Sequence, residues 1–157
     1  MRQKITTAIV LFLIGATFHA APAAKEQDRE QQLQRERQKL ERETDPIDRA
    51  KIGIKISEIL IDDVGDSVRD QQYTEMEEQL TAYSETIQNA HQSLIDSGRN
   101  AAKKSSGFKD LEITMRKHAR RFEELARMLD LQRRVPLERA KDLAIDIRDK
   151  LLKVLFP

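Results

Sequence analysis

Three groups of residues in this chain have side chains that could do chemistry: the histidines, a run of aspartates and a knot of cations. Histidine occurs only at positions 19, 91 and 118. His118 falls between Met115 and Phe122 at steps of three and four, the repeat of a buried helical face, so it is expected to be a hydrogen-bonded core side chain. His91 follows Ala90 and is expected at the rim. A di-metal site in a helical bundle needs a Glu three residues before each inward His. Positions 88 and 115 are Gln and Met, so neither histidine meets that requirement. No His-Glu-x-x-His pair or EF-hand loop occurs, and the absence of cysteine removes thiolate ligands and thiol nucleophiles.

The aspartates are Asp62, Asp63, Asp66 and Asp70. Carboxylates at such steps on a helix bind a divalent cation weakly or share a proton as acid and base. The same strip carries Lys55 and Arg69, which is the pattern of a solvated mixed-charge face. Uninterrupted helices also imply no cleft for a substrate, and the glycines are too scattered for a phosphate loop. The sequence therefore offers no catalytic residue, no cofactor motif and no metal site. The expectation is a protein that is not an enzyme. Binding of a divalent metal or small ligand, at the four aspartates or around His118, is the alternative.

The cations are Arg116, Lys117, Arg120 and Arg121, the candidate interaction face. They sit within a strong segregation of charge. Residues 45–98 hold 4 basic and 12 acidic residues, with no Lys or Arg between Arg69 and Arg99, whereas residues 99–157 hold 16 basic and 9 acidic. One reading is internal: an acidic hairpin docks on a basic one. The other is an exposed basic face that meets a protein partner or an anionic envelope surface. Nucleic acid is a poor partner, because residues 24–157 are nearly neutral overall and no aromatics interleave with the cations to stack bases.

These groups need elements to position them. Arg2 and Lys4 precede an apolar run from Ile5 to Phe18, followed by Ala21-Pro22-Ala23. That is the plan of a secretory signal over residues 1–23, with the cut after Ala23 and a retained anchor as the alternative. The run is short of the ~20 residues that span a bilayer, so membrane contact is expected only in transit. Residues 24–44 have two large apolar side chains, Leu33 and Leu40, seven apart. The segment reads as a charged extension, helical and solvated or disordered.

Asp45-Pro46 marks a helix start, with Asp as cap and Pro at the first helical position. Four apolar stripes at steps of three and four follow. The first runs Ile47, Ala50, Ile54, Ser57, Ile61, Val64 and Val68, with Ile52, Ile56, Ile59 and Leu60 on an adjoining face, making it the central helix. The second runs from Tyr73 through Met76, Leu80, Tyr83, Ile87 and Ala90 to Leu94, after a turn around 69–72. The third runs from Phe108 to Leu129, capped by Ser105 or Ser106 after a polar loop. The fourth runs from Leu137 to Val154, begun afresh at Val135-Pro136 because a residue before proline leaves the helical region.

Charge at 35% and aromatics at 4% favour long helices over strands. The fold class is therefore all-α: an antiparallel four-helix up-down bundle over 45–157, with coiled-coil-like spacing and a charged N-terminal helical extension. Nothing recurs at 34 residues, and bulky Val64, Met76 and Tyr83 exclude a tetratricopeptide hairpin. The expected function is that of an exported, non-enzymatic helical protein of the cell envelope. It is expected to be periplasmic or secreted, to act as an interaction or accessory factor, and to be able to form a homodimer.

Overall fold

The computed structural model describes residues 20–157, with side chains from residue 27 onward. The expected signal run lies outside the described residues. Five helices follow one another: α1 (Ala20–Arg42), α2 (Pro46–Arg69), α3 (Tyr73–Asp96), α4 (Phe108–Ala126) and α5 (Leu131–Leu155). Among the described residues there is no strand, and no helix is long and apolar enough to cross a membrane.

The four apolar stripes become the core. All eleven named positions of the first stripe are buried in α2 apart from half-buried Ile52. Those of α3 and α4 are buried too, with Tyr73 only partly so. In α5 the stripe ends early, because Val154 is exposed. Helix α2 packs against α1, α3 and α4, as a helix apolar over much of its circumference must.

Two hairpins carry most of the packing, α2 with α3 and α4 with α5. In the first, Ser67 donates a 2.9 Å hydrogen bond to Gln79, and a Cβ on Gly53 would lie 3.0 Å from that of Ala90. The helices therefore run in opposite directions and pack tightly at Gly53. In the second, Arg148 reaches Glu112 at 3.3 Å, while Phe122 and Ala126 lie near Arg134 and Leu137.

A square up-down bundle would also place α3 beside α4. Their backbones approach little, although they are consecutive in the chain, and they meet through core side chains such as Tyr83 and Phe122. The closer neighbours across the two hairpins are α2 with α4 and α3 with α5. Both pairs are parallel: Gly107 abuts Ile47 while Arg121 lies over Gly65, and Arg133 meets Tyr73 while Lys150 lies near His91. The physical reason is the eleven-residue connection 97–107. It crosses the end of the bundle where α3 finishes, so that α4 begins beside the start of α2 with Gly107 against both Leu94 and Ile47.

Local chemistry explains the boundaries. Asp45 Oδ1 accepts from the N–H groups of Ile47 and Asp48, as expected of an N-cap. The α2–α3 turn closes with the N–H of Gln72 on the carbonyl of Ser67, and Gln71 takes the left-handed conformation at φ 59°. Two expectations are corrected. Helix α4 starts from Gly107, not from Ser105 or Ser106. Gly107 has φ 82°, and a Cβ there would lie 2.9 Å from Leu94, so only glycine fits. Its N–H is held by Asp110 Oδ2. Helix α5 starts at Leu131, not at Pro136. Asp130 caps the N–H of Arg133, and the helix runs through Pro136.

Candidate functional site

The first candidate is the core pair. Tyr83 on α3 and His118 on α4 meet inside the bundle, with Tyr83 Oη 3.1 Å from His118 Nδ1. Met115 Sδ lies 3.9 Å from the same hydroxyl, and the Phe122 ring stands edge-on to Tyr83 at 5.0 Å. Burial pushes the phenol's pKa well up, so it stays protonated and donates. Burial, with a smaller contribution from the Lys117 charge, pushes His118 down to about 4. A neutral imidazole then accepts at Nδ1, and the pair is satisfied. His118 is thus the hydrogen-bonded core residue that its spacing implied. The sequence did not identify Tyr83 as its partner. The signal available was that both fall in the middle of their stripes.

The four aspartates divide. Asp63 and Asp66 are both gripped by Arg29 of α1, with Arg29 Nη1 3.3 Å from Asp63 Oδ1. Asp66 also pairs with Arg69 one turn later. Asp62 and Asp70 are exposed. Among the described residues no group of three or more His, Asp or Glu is arranged to hold a metal ion. A cavity of about 470 Å³ opens here between α1, α2 and α3, lined by Arg29, Asp63, Asp66, Asp70, Glu75 and neighbours. Its charges lie mainly in the clamp that holds α1.

The extension is therefore a docked helix rather than a solvated one. Arg29, Leu33, Glu36 and Leu40 fall at steps of four, three and four, which puts them on one face. Leu33 and Glu36 are buried against α2, and Leu40 is partly so. Arg49 donates to the carbonyls of Leu40 and Glu43, satisfying the end of α1. Two leucines alone do not reveal this face in the sequence, because a guanidinium and a carboxylate complete the stripe. The clamp is imperfect, since Arg29 Nε and Glu36 Oε2 are buried without a hydrogen-bond partner among the described residues.

The predicted cationic face is brought together on α4, with one exception. Arg116, Lys117 and Arg120 are exposed. Arg116 has a long contact of 3.9 Å with Glu112 of its own helix, whereas Lys117 and Arg120 make no ion pair among the described residues. Arg121 turns inward instead. Its guanidinium lies 3.1 Å from where a Cβ on Gly65 would stand, and it pairs with Glu124 at 3.3 Å. Among the described residues the one ion pair joining segment 45–98 to 99–157 is Arg99 with Asp45, at 3.6 Å and exposed. The hairpins are therefore held together by apolar packing and not by their opposite charges. His91 is at the rim, half-buried, and desolvation lowers its pKa ahead of nearby Lys150.

Comparison with known protein families, curated proteins and solved structures finds no match to this chain.

Proposed function

We propose that this chain is an exported, non-enzymatic helical protein of the cell envelope, periplasmic or secreted, that works by binding. Its contact surface is the outer face of α4. The observation that carries this reading is the exposure of Arg116, Lys117 and Arg120 beside an acidic hairpin that does not take them. Like charges at close spacing repel, and a partner of opposite sign relieves that repulsion. The scaffold in this reading is the four helices α2–α5, alternating in direction as two hairpins, with α1 as a fifth helix on the acidic side. Export rests on the leader pattern of residues 1–23, cut after Ala23.

Cell fractionation with N-terminal sequencing tests the first half. A product in the envelope or medium that begins at Ala24 is expected, and a cytoplasmic product beginning at Met1 contradicts it. Crosslinking in envelope extract tests the second half, comparing the native protein with Arg116→Gln/Lys117→Gln/Arg120→Gln. Salt-sensitive capture should disappear in the variant. Identical capture by both proteins removes the α4 face from the reading.

A further inference from the structure

We infer that the partner of the α4 face is an anionic lipid bilayer, entered by the apolar tip where α4 turns into α5. This rests on the reading of α4 as the contact surface and names what it contacts.

Single exposed apolar residues are ordinary on a soluble protein. At the α4–α5 turn three stand within eight residues: Met128 is 59% exposed, Leu131 79% and Val135 40%. Leu131 is the most exposed large apolar side chain among the described residues, although it opens a helix where a polar residue costs nothing. Leu131 and Val135, four residues apart, share an exposed face of α5, and Met128 lies exposed in the turn that precedes them. The shallow groove between Glu123 and Arg127 of α4 and Arg134, Glu138 and Lys141 of α5 opens there, and Leu131 and Val135 precede Glu138 at heptad steps.

A stripe of cations leads along α4 to this tip. Lys109, Arg116, Arg120 and Arg127 are seven, four and seven residues apart, so they form one stripe that runs along α4 to Met128. All four are exposed. Residues 116–141 contain nine Lys or Arg against four Asp or Glu. Three of those four acids are held by arginines of their own segment: Glu123 by Arg127, Glu124 by Arg121 and Asp130 by Arg133. The surface thus presents net positive charge beside exposed apolar side chains at the turn.

That combination matches the interface of an anionic membrane, where apolar side chains enter the acyl boundary and long cationic side chains stay at the phosphates. A protein partner could answer the cations, but it would need a pocket shaped to the tip. A fluid bilayer closes around exposed apolar side chains without one.

The chain contains no tryptophan, so Leu131→Trp introduces a single reporter. The protein as recovered from the envelope is mixed with phosphatidylcholine vesicles, with or without phosphatidylglycerol. Blue-shifted emission and quenching by brominated lipid are expected on the anionic vesicles only. Met128→Ser/Leu131→Ser should weaken co-sedimentation by on the order of 100-fold, about tenfold per apolar side chain. Arg116→Gln/Lys117→Gln/Arg120→Gln should weaken it to a similar degree, about fivefold per cation. Unchanged emission on every vesicle overturns the inference. If the serine variant binds as the native protein does while the glutamine variant is lost, the α4 face stands and the bilayer insertion falls. If neither variant loses binding, both readings fall. Capture of acidic proteins by α4 without any blue shift assigns the face to a protein and overturns the bilayer.

Discussion

The two hairpins are built on the same heptad plan, yet their charged surfaces are treated in opposite ways. On the acidic hairpin α2–α3 a helix of the same chain supplies the counter-charge, with Arg29 of α1 gripping Asp63 and Asp66 and Leu33 buried beside them. On the basic hairpin α4–α5 nothing covers Arg116, Lys117 and Arg120 among the described residues. Between the hairpins, charge contributes little and the core does the joining. The contrast teaches that opposite net charges on two segments do not imply that the segments dock through them. Attraction between exposed groups is worth up to about 1 kcal/mol per pair, whereas burying one large apolar side chain is worth roughly 1.5–3 kcal/mol.

The comparison can be broken in order of effect. The largest change should come from the apolar join. Phe122→Ala removes a fully buried ring packed edge-on to Tyr83, and should cost about 3–5 kcal/mol in denaturant unfolding. A loss below 1 kcal/mol would mean that the hairpins are not joined there.

Next comes pH. The folded pKa of His118 is lowered to about 4, below the ordinary 6.5, so the unfolded chain takes up the proton more readily. The contribution is complete above pH 6.5 and is lost as pH falls towards 4, up to about 3 kcal/mol. Melting temperatures between pH 7 and 4 should show this slope, and His118→Gln should flatten it.

His118→Leu is a sharper probe of the same pair. The sequence alone suggests a neutral or stabilising change, because an apolar side chain replaces a polar one. The structure reverses the sign, since the Tyr83 hydroxyl loses its acceptor and keeps only the weak Met115 sulfur. We expect a cost of about 1–3 kcal/mol, recovered by adding Tyr83→Phe. Without that recovery, the hydrogen bond is not the source of the cost.

On the acidic side, Arg29→Gln should cost about 1 kcal/mol, with the effect shrinking in high salt and residues 25–44 becoming more sensitive to protease. On the basic side, Arg116→Gln/Lys117→Gln/Arg120→Gln should move stability by less than about 0.5 kcal/mol. A large destabilisation there would mean that these cations serve the fold and not a partner.

The sequence made the helices legible wherever no local signal contradicted the apolar stripe. Asp45-Pro46 falls where capping chemistry and apolar phase point to the same boundary, and the turn at 69–72 falls where the apolar phase breaks, with no side-chain cap at Gln72. Where two local signals compete, the more conspicuous one does not set the boundary. Pro136 announces a break, but Asp130 six residues earlier already caps a helix that tolerates it. Ser105 and Ser106 are good caps, yet the tight approach of Leu94 and Ile47 selects Gly107. The cationic face was visible as composition. That Arg121 would leave it for Gly65, and that Arg29 would answer the aspartates, depends on which helices are neighbours. That depends in turn on where the loop 97–107 carries the chain, and a polar loop carries no pattern that reveals its path.

The contrast between the two hairpins is most directly tested by arginine modification with phenylglyoxal, followed residue by residue in the native protein by peptide mass spectrometry. Arg29, with its side chain 17% exposed and held by two carboxylates, should react slowly. Arg120 should react at nearly the rate of a free arginine. Comparable rates at the two positions, or protection of Arg120, would contradict the account.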